Sequence, residues 1–142
     1  MTRSILILIF TLFLPLSAAA QTTATMFKDP FCGCCAGHAD YLREHGFEVD
    51  VRETSADKLA AIKQRHQIPA PLQSCHTLLI EGYVVEGHVP LEAINRLLAQ
   101  KPDIIGISLP GMPAGSPGMG GQKSAPFVVL TIGGNNAPFG QF

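Results

Sequence analysis

Apolar and polar positions divide the chain into short segments with two different periods. Phe47-Glu48-Val49-Asp50-Val51-Arg52 alternates, which predicts a half-buried strand. Ala24-Thr25-Met26-Phe27-Lys28 predicts a short strand before it, and Thr77-Leu78-Leu79-Ile80 a strongly apolar one after it. Glu81-Gly82 then turns the chain, and Tyr83-Val84-Val85-Glu86 returns as a hairpin partner. Three stretches carry helical spacing instead. The first runs from a cysteine cluster at 32–35 to His45, with Ala39 and Leu42 inward and Gly46 suited to its C-terminal cap. The second is capped by Ser55 and runs to about Arg65, with Leu59 and Ile62 on its apolar side. The third begins at Val89-Pro90, where proline suits the first turn, and lines up Leu91, Ile94, Leu97 and Leu98 before Lys101-Pro102 ends it. Ile68-Pro69-Ala70-Pro71 interrupts the pattern between the second helix and the third strand.

The resulting order, β-α-β-α-β-β-α, is the thioredoxin order. It predicts an α/β, thioredoxin-like domain with a mixed four-stranded sheet and flanking helices. In that architecture the loop before the third strand lies beside the start of the first helix. Gly106 to Gly121 is rich in Gly and Pro, carries Met112, Ser116 and Met119, and reads as a linker or irregular loop. Pro126 to Thr131 offers one more strand-like run, followed by the loose Gly133-Gly134-Asn135-Asn136. Residues 21–102 are thus expected to form the domain, and residues 103–142 a C-terminal extension.

Residues 1–20 stand outside this pattern. Arg3 provides a basic start, Ile5 to Leu14 is apolar apart from Thr11, and Ala18-Ala19-Ala20 offers a cleavage site before Gln21. This is the form of a secretory signal peptide, too short and wrongly flanked for a spanning helix. Export to the periplasm, with no stable membrane insertion after cleavage, is the expectation. Charge is nearly balanced, at −1 for the whole chain with His neutral, and no basic run occurs. That makes nucleic acid and anionic membrane poor candidates as partners.

Four cysteines in an exported chain would ordinarily suggest two structural disulfides. Their crowding argues otherwise. Cys32, Cys34 and Cys35 occupy three of four consecutive positions at a helix start, where the helix N-terminus favours thiolate. A bridge between neighbours Cys34 and Cys35 would be strained, and one between Cys32 and Cys35 closes a very short loop and stabilises little. Three thiolates this close can all bind a soft metal. Cys75 lies in the loop before the third strand, so the fold brings it to the other three. His76 and His88 flank the hairpin and come to the same end of the sheet, and imidazole suits copper and zinc. Met112 and Met119 sit in a segment with little core to fill, and a thioether selects Cu(I). His38 is read as a tuner of the thiols or a solvent-facing residue, His45 and His66 as surface residues, and Glu81 and Glu86 as solvated.

Cys32-Gly33-Cys34-Cys35, Ser74-Cys75-His76-Thr77, Gly82-Tyr83-Val84-Val85-Glu86-Gly87-His88-Val89-Pro90 and the run Pro110 to Met119 occur in one order. With these motifs the chain resembles the CopG-type periplasmic copper-resistance proteins, long described as a domain of unknown function. The likeness runs from about Thr25 to Met119, with a weaker echo at Pro126–Thr131. It implies a thioredoxin-like domain with a metal-binding extension and a sulfur-bridged multicopper site that interconverts Cu(I) and Cu(II). By position the metal site falls on Cys32, Cys34, Cys35, Cys75, His76, His88, Met112 and Met119. The family's tryptophan just past the first motif is absent, with His38 nearby, and Gly120 stands where an acidic residue often follows the final Gly-Met.

The expected function is therefore periplasmic copper binding in copper resistance, with copper as the bound metal. Its enzymatic form would be a copper oxidoreductase. The expected partners are copper ions and other periplasmic copper-handling or efflux proteins. The alternative is a thiol–disulfide oxidoreductase in which Cys32 attacks and Cys35 resolves. Against it, Ser74-Cys75-His76 occupies the place where thioredoxins carry a peptide-docking cis-proline, and Pro71 lies further back.

Overall fold

A computed structural model of the chain describes residues 21–142. The signal peptide expected at residues 1–20 lies outside the described residues. Among the described residues, seven strands and three α-helices follow in the order β1 (Thr22–Lys28), α1 (Gly33–Glu44), β2 (Phe47–Glu53), α2 (Ala56–Arg65), β3 (His76–Ile80), β4 (Tyr83–Glu86), α3 (Leu91–Gln100), β5 (Gly106–Ser108), β6 (Val128–Ile132) and β7 (Pro138–Gln141). Ser55 does cap α2 by position, but without a side-chain hydrogen bond. Pro90 caps α3 from just outside the helix rather than from its first turn.

All seven strands form one sheet in the order β2-β1-β3-β4-β5-β6-β7. β1 and β2 run parallel, β3 and β4 form the antiparallel hairpin, and β3 pairs antiparallel to β1. This is the thioredoxin-like mixed α/β arrangement. The four-stranded expectation is corrected to seven: β5 pairs parallel to β4, and β6 and β7 follow antiparallel. The physical reason is the free edge of β4. An unpaired edge exposes a row of backbone donors and acceptors, and the C-terminal segment satisfies them. Within the Gly/Pro segment, Gly106–Ser108 is therefore strand, while the remainder is turns.

Alternation along the central strands assigns two faces. Leu78 and Val85 join the main core, packed with Ala39 and Leu42 of α1 and Ala93, Ile94 and Leu97 of α3. Val84 belongs to a smaller cluster with Ile68, Leu72 and Ile132 on the other side. Met26, Leu42, Leu78, Ile94 and Leu97 are fully buried. Each such side chain contributes roughly 1.5–3 kcal/mol by leaving water. Because both faces of β3 and β4 are covered, a polar side chain on either strand must find a partner inside the protein. No helix among the described residues is long and apolar enough to cross a membrane.

Candidate metal centre

β1 delivers the chain to the cysteines through a turn held on both sides. Phe31 N–H donates to Asp29 Oδ1 at 2.8 Å, and Cys32 N–H to Asp29 O at 3.1 Å. The buried Lys28 ammonium donates to Asp29 O and Pro30 O from beneath. Cys32 is the N-cap residue of α1 and uses no side-chain cap, so Cys34 and Cys35 lie in a first turn with free backbone donors. Cys35 is fully buried, while Cys34 and Cys75 are half-buried free thiols. Cys32 and Cys35 are joined as a disulfide, with Cα atoms 5.4 Å apart, and Cys34 Sγ lies 3.6 Å from Cys32 Sγ. Reduction of that bond is required before all four sulfurs can act as ligands.

Cys75 arrives from the loop before β3. Cys32, Cys34, Cys35 and Cys75 form a group whose sulfurs all lie within 4.8 Å of one another. Cys35, Cys75, His76 and His88 form a second group within the same limit, sharing two of those sulfurs. Cys75 Sγ is 3.3 Å from His76 Nδ1 and 3.1 Å from His88 Nε2. Burial pushes the Cys75 thiol up to about 11, with Ser74 and Lys63 acting in the opposite direction. Near neutral pH it is therefore protonated until a metal displaces the proton.

The histidines form a buried chain. His38 Nε2 lies 3.1 Å from Val89 O, and His38 Nδ1 lies 2.8 Å from His76 Nε2. His88 Nδ1 lies 2.7 Å from Pro117 O. Burial, and after it the nearby His88, drive the His38 pKa down to about 3 against the opposing hydrogen bond to Val89 O. His76 is depressed mainly by burial and then by its histidine neighbours, and His88 mainly by burial. Neutral imidazoles at the edge of a thiol group are metal-ligand material, and four sulfurs with two imidazoles make a donor set suited to copper.

Beneath Cys75, on the other face of the sheet, Glu86 is fully buried. Its carboxylate accepts Ser74 N–H at 2.7 Å and the Thr77 hydroxyl at 2.7 Å, and it pairs with the Lys63 ammonium. Thr77 and Glu86 are direct cross-strand partners, and Lys63 reaches them from α2. The expectation of a solvated Glu86 is thus corrected: it faces the covered side of β4. Of the two readings of His38, the solvent-facing one is corrected: it is buried, because Cys35, His38, Ala39 and Leu42 form one inward stripe of α1. His45 is exposed and His66 partly so, as expected.

The tail closes on the site through Gly118. Its φ is +79°, and a Cβ there would fall 2.7 Å from Cys34 O. Gly37 faces it across α1, where a Cβ would meet Gly118 O at 3.2 Å. Gly118 requires glycine for this approach, and a side chain at Gly37 would crowd it. Met119 follows Gly118 and is half-buried, whereas Met112 is 42% exposed at a turn. Lys63, Thr77, Glu86 and the carbonyls of Val89 and Pro117 belong to the site's framework; the sequence assigned none of them to it, and Glu86 was expected in solvent.

A family model described as "Protein of unknown function, DUF411" matches residues 72–119. The chain is similar to two solved structures titled "Copper resistance protein copG". With Form 2 it shares 34% identity at a TM-score of 0.75, over 85% of this chain and 98% of that one. With Form 1 it shares 32% identity at a TM-score of 0.76, over 84% and 96% of the two chains. Among curated proteins, none matches.

Proposed function

This chain belongs to the family of the CopG copper-resistance proteins, and from that premise we propose that it binds copper in the periplasm as part of copper resistance. Residues 1–20 export it and are cleaved, residues 21–102 carry the thioredoxin-like domain, and residues 103–142 complete the site. Copper is its substrate, and other copper-handling or efflux proteins pass it on. With the Cys32–Cys35 bond reduced, Cys32, Cys34, Cys35 and Cys75 would hold Cu(I) ions as thiolates. His76 and His88 add nitrogen donors that suit Cu(II), and Met119 and Met112 add soft thioethers.

The observation that carries this reading is the convergence on Cys75, whose sulfur lies within 4.8 Å of three other sulfurs and within 3.3 Å of two imidazole nitrogens. Interconversion of Cu(I) and Cu(II) draws on the Cys32–Cys35 couple. Closing the dithiol to the disulfide releases two electrons and two protons, which reduces two Cu(II) to two Cu(I). An external thiol reductant then restores the dithiol.

The test is anaerobic reconstitution of the reduced and the disulfide forms with Cu(I), followed by metal analysis. More than one copper per chain in the reduced form, and a clear loss in the disulfide form, is expected. Equal and substoichiometric copper in both would contradict the reading. The Cys32–Cys35 disulfide at the helix start also favours the second reading, a thiol–disulfide oxidoreductase without copper. That reading requires strong disulfide-reductase turnover in the absence of metal.

A further inference from the structure

We propose that His38 is a positioning residue: it accepts a hydrogen bond from His76 Nε2–H and thereby keeps the His76 Nδ1 lone pair aimed at Cys75. The argument follows the protons. Val89 O can only accept, so the His38 nitrogen 3.1 Å from it, Nε2, carries the proton. A neutral imidazole has one proton, so His38 Nδ1 is a lone pair. His76 Nε2, 2.8 Å from that lone pair, must donate to it. The remaining His76 nitrogen, Nδ1, is then unprotonated, and it is the atom that lies 3.3 Å from Cys75 Sγ.

The neighbouring histidine is set by the opposite logic. Pro117 O also can only accept, so His88 carries its proton on Nδ1. His88 Nε2 is therefore a lone pair 3.1 Å from the same sulfur. Two nitrogens with free lone pairs face one thiol that has a single proton to give. Two carbonyls thus dictate where both imidazoles bind, one of them through His38. The outer hydrogen bond of a metal-binding histidine commonly fixes its tautomer and orientation. Here a third histidine on α1 takes that part, and no motif marks it.

The consequence for copper rests on His76 being a ligand, as in the function proposed above; the tautomer does not. The test therefore starts without metal. In the metal-free, 15N-histidine-labelled protein at pH 8, long-range 15N–1H correlation spectra report which ring nitrogen carries each proton. Wild type should show His38 and His76 protonated on Nε2 and His88 on Nδ1. His38→Leu leaves the buried His76 Nε2–H without an acceptor and should populate its Nδ1–H form. His38→Asn places an amide oxygen near the former Nδ1 position and should restore the Nε2–H form. Competition with a Cu(I) chelator should then show affinity about 10- to 100-fold weaker in His38→Leu, recovered in large part by His38→Asn.

His76 protonated on Nδ1 in the wild type would overturn the proposal. So would an unchanged tautomer or unchanged copper affinity in His38→Leu. If His38→Leu does not fold, the wild-type spectrum and the His38→Asn affinity still decide. A wild type that binds no copper at all would count against the proposed function and leave the metal-free spectrum as the measure of the relay.

Discussion

Lys63 of α2 and Glu86 of β4 form an ion pair in which the two side chains are 6% and 0% exposed. The pair sits on the opposite side of the sheet from the histidine chain and holds the residues on both sides of Cys75-His76, Ser74 by its backbone and Thr77 by its side chain. Glu86 accepts Ser74 N–H before the pair and the Thr77 hydroxyl after it. The thiol and imidazole of the loop are thus fixed from below by a carboxylate that belongs to neither group of candidate ligands.

Removing one partner leaves the other charged and buried. Glu86→Gln should therefore destabilise the protein by about 3–5 kcal/mol. Replacing both partners with apolar residues, Lys63→Met together with Glu86→Leu, should recover part of that loss, because no unpaired charge remains. Urea unfolding of the three proteins checks this. A single variant within about 1 kcal/mol of wild type would show that the pair does not hold the loop as described.

The elements that carry the thiols were legible from periodicity because each is bounded by clear turn or cap residues. The Phe47–Arg52 alternation, the Glu81-Gly82 turn and the Leu91/Ile94/Leu97 face all correspond to observed elements. Cys75 could be brought to the C-x-C-C cluster because the order of elements alone puts the loop before β3 there. The last three strands were not legible as part of the sheet. β5 has three residues in a Gly-rich stretch, and β7 contains Pro138 and Gly140, so neither carries a pattern. Glu86 was misread because burial on both faces of β4 depends on β5 and α2 covering it. His38 left a signal that could have been used: it shares the Cys35, Ala39, Leu42 spacing of a buried helix face. Lys63 likewise follows Leu59 by four positions on the buried side of α2.

Acid should weaken the metal-free protein. An unfolded histidine titrates near 6.5, whereas His38 in the fold is held down to about 3 by burial. Between those values the unfolded chain binds more protons, so stability is complete above pH 6.5 and is lost as pH falls toward 3. His76 and His88 shift in the same direction. Glu86, raised mainly by burial, acts oppositely and gains stability as it protonates. Each excess proton changes stability by about 1.4 kcal/mol per pH unit. The melting temperature should therefore fall by at least about 4 °C per unit between roughly pH 6 and pH 4. The slope should be shallower in His38→Asn. A flat profile across that range would contradict the buried, neutral histidine chain.

The tail can be tested through its sulfurs. Met119 follows the Gly118 contact with α1, and Met112 lies out on the surface. Replacing both with Leu conserves volume and apolarity while deleting sulfur. The double variant should bind Cu(I) less tightly, with its metal-free melting temperature nearly unchanged. The single Met119→Leu should account for most of the loss, given the exposure of Met112. Unchanged copper affinity in the double variant would remove both thioethers from the ligand set.

The most direct measurement is copper per protein in wild type and Cys75→Ser after anaerobic Cu(I) reconstitution of the reduced chains, with disulfide-reductase activity measured beside it. Cys75 and Cys35 are the two sulfurs shared by the thiol group and the histidine group, and Cys75 is the one outside the disulfide. A serine hydroxyl is a hard donor, stays protonated near neutral pH and binds Cu(I) poorly. Bound copper should therefore fall by at least about one ion per chain. In a dithiol enzyme, attack and resolution use Cys32 and Cys35, and Cys75 only lines the site. Unaltered copper content together with strong reductase activity in both proteins would contradict the copper account and assign the chemistry to the Cys32–Cys35 pair.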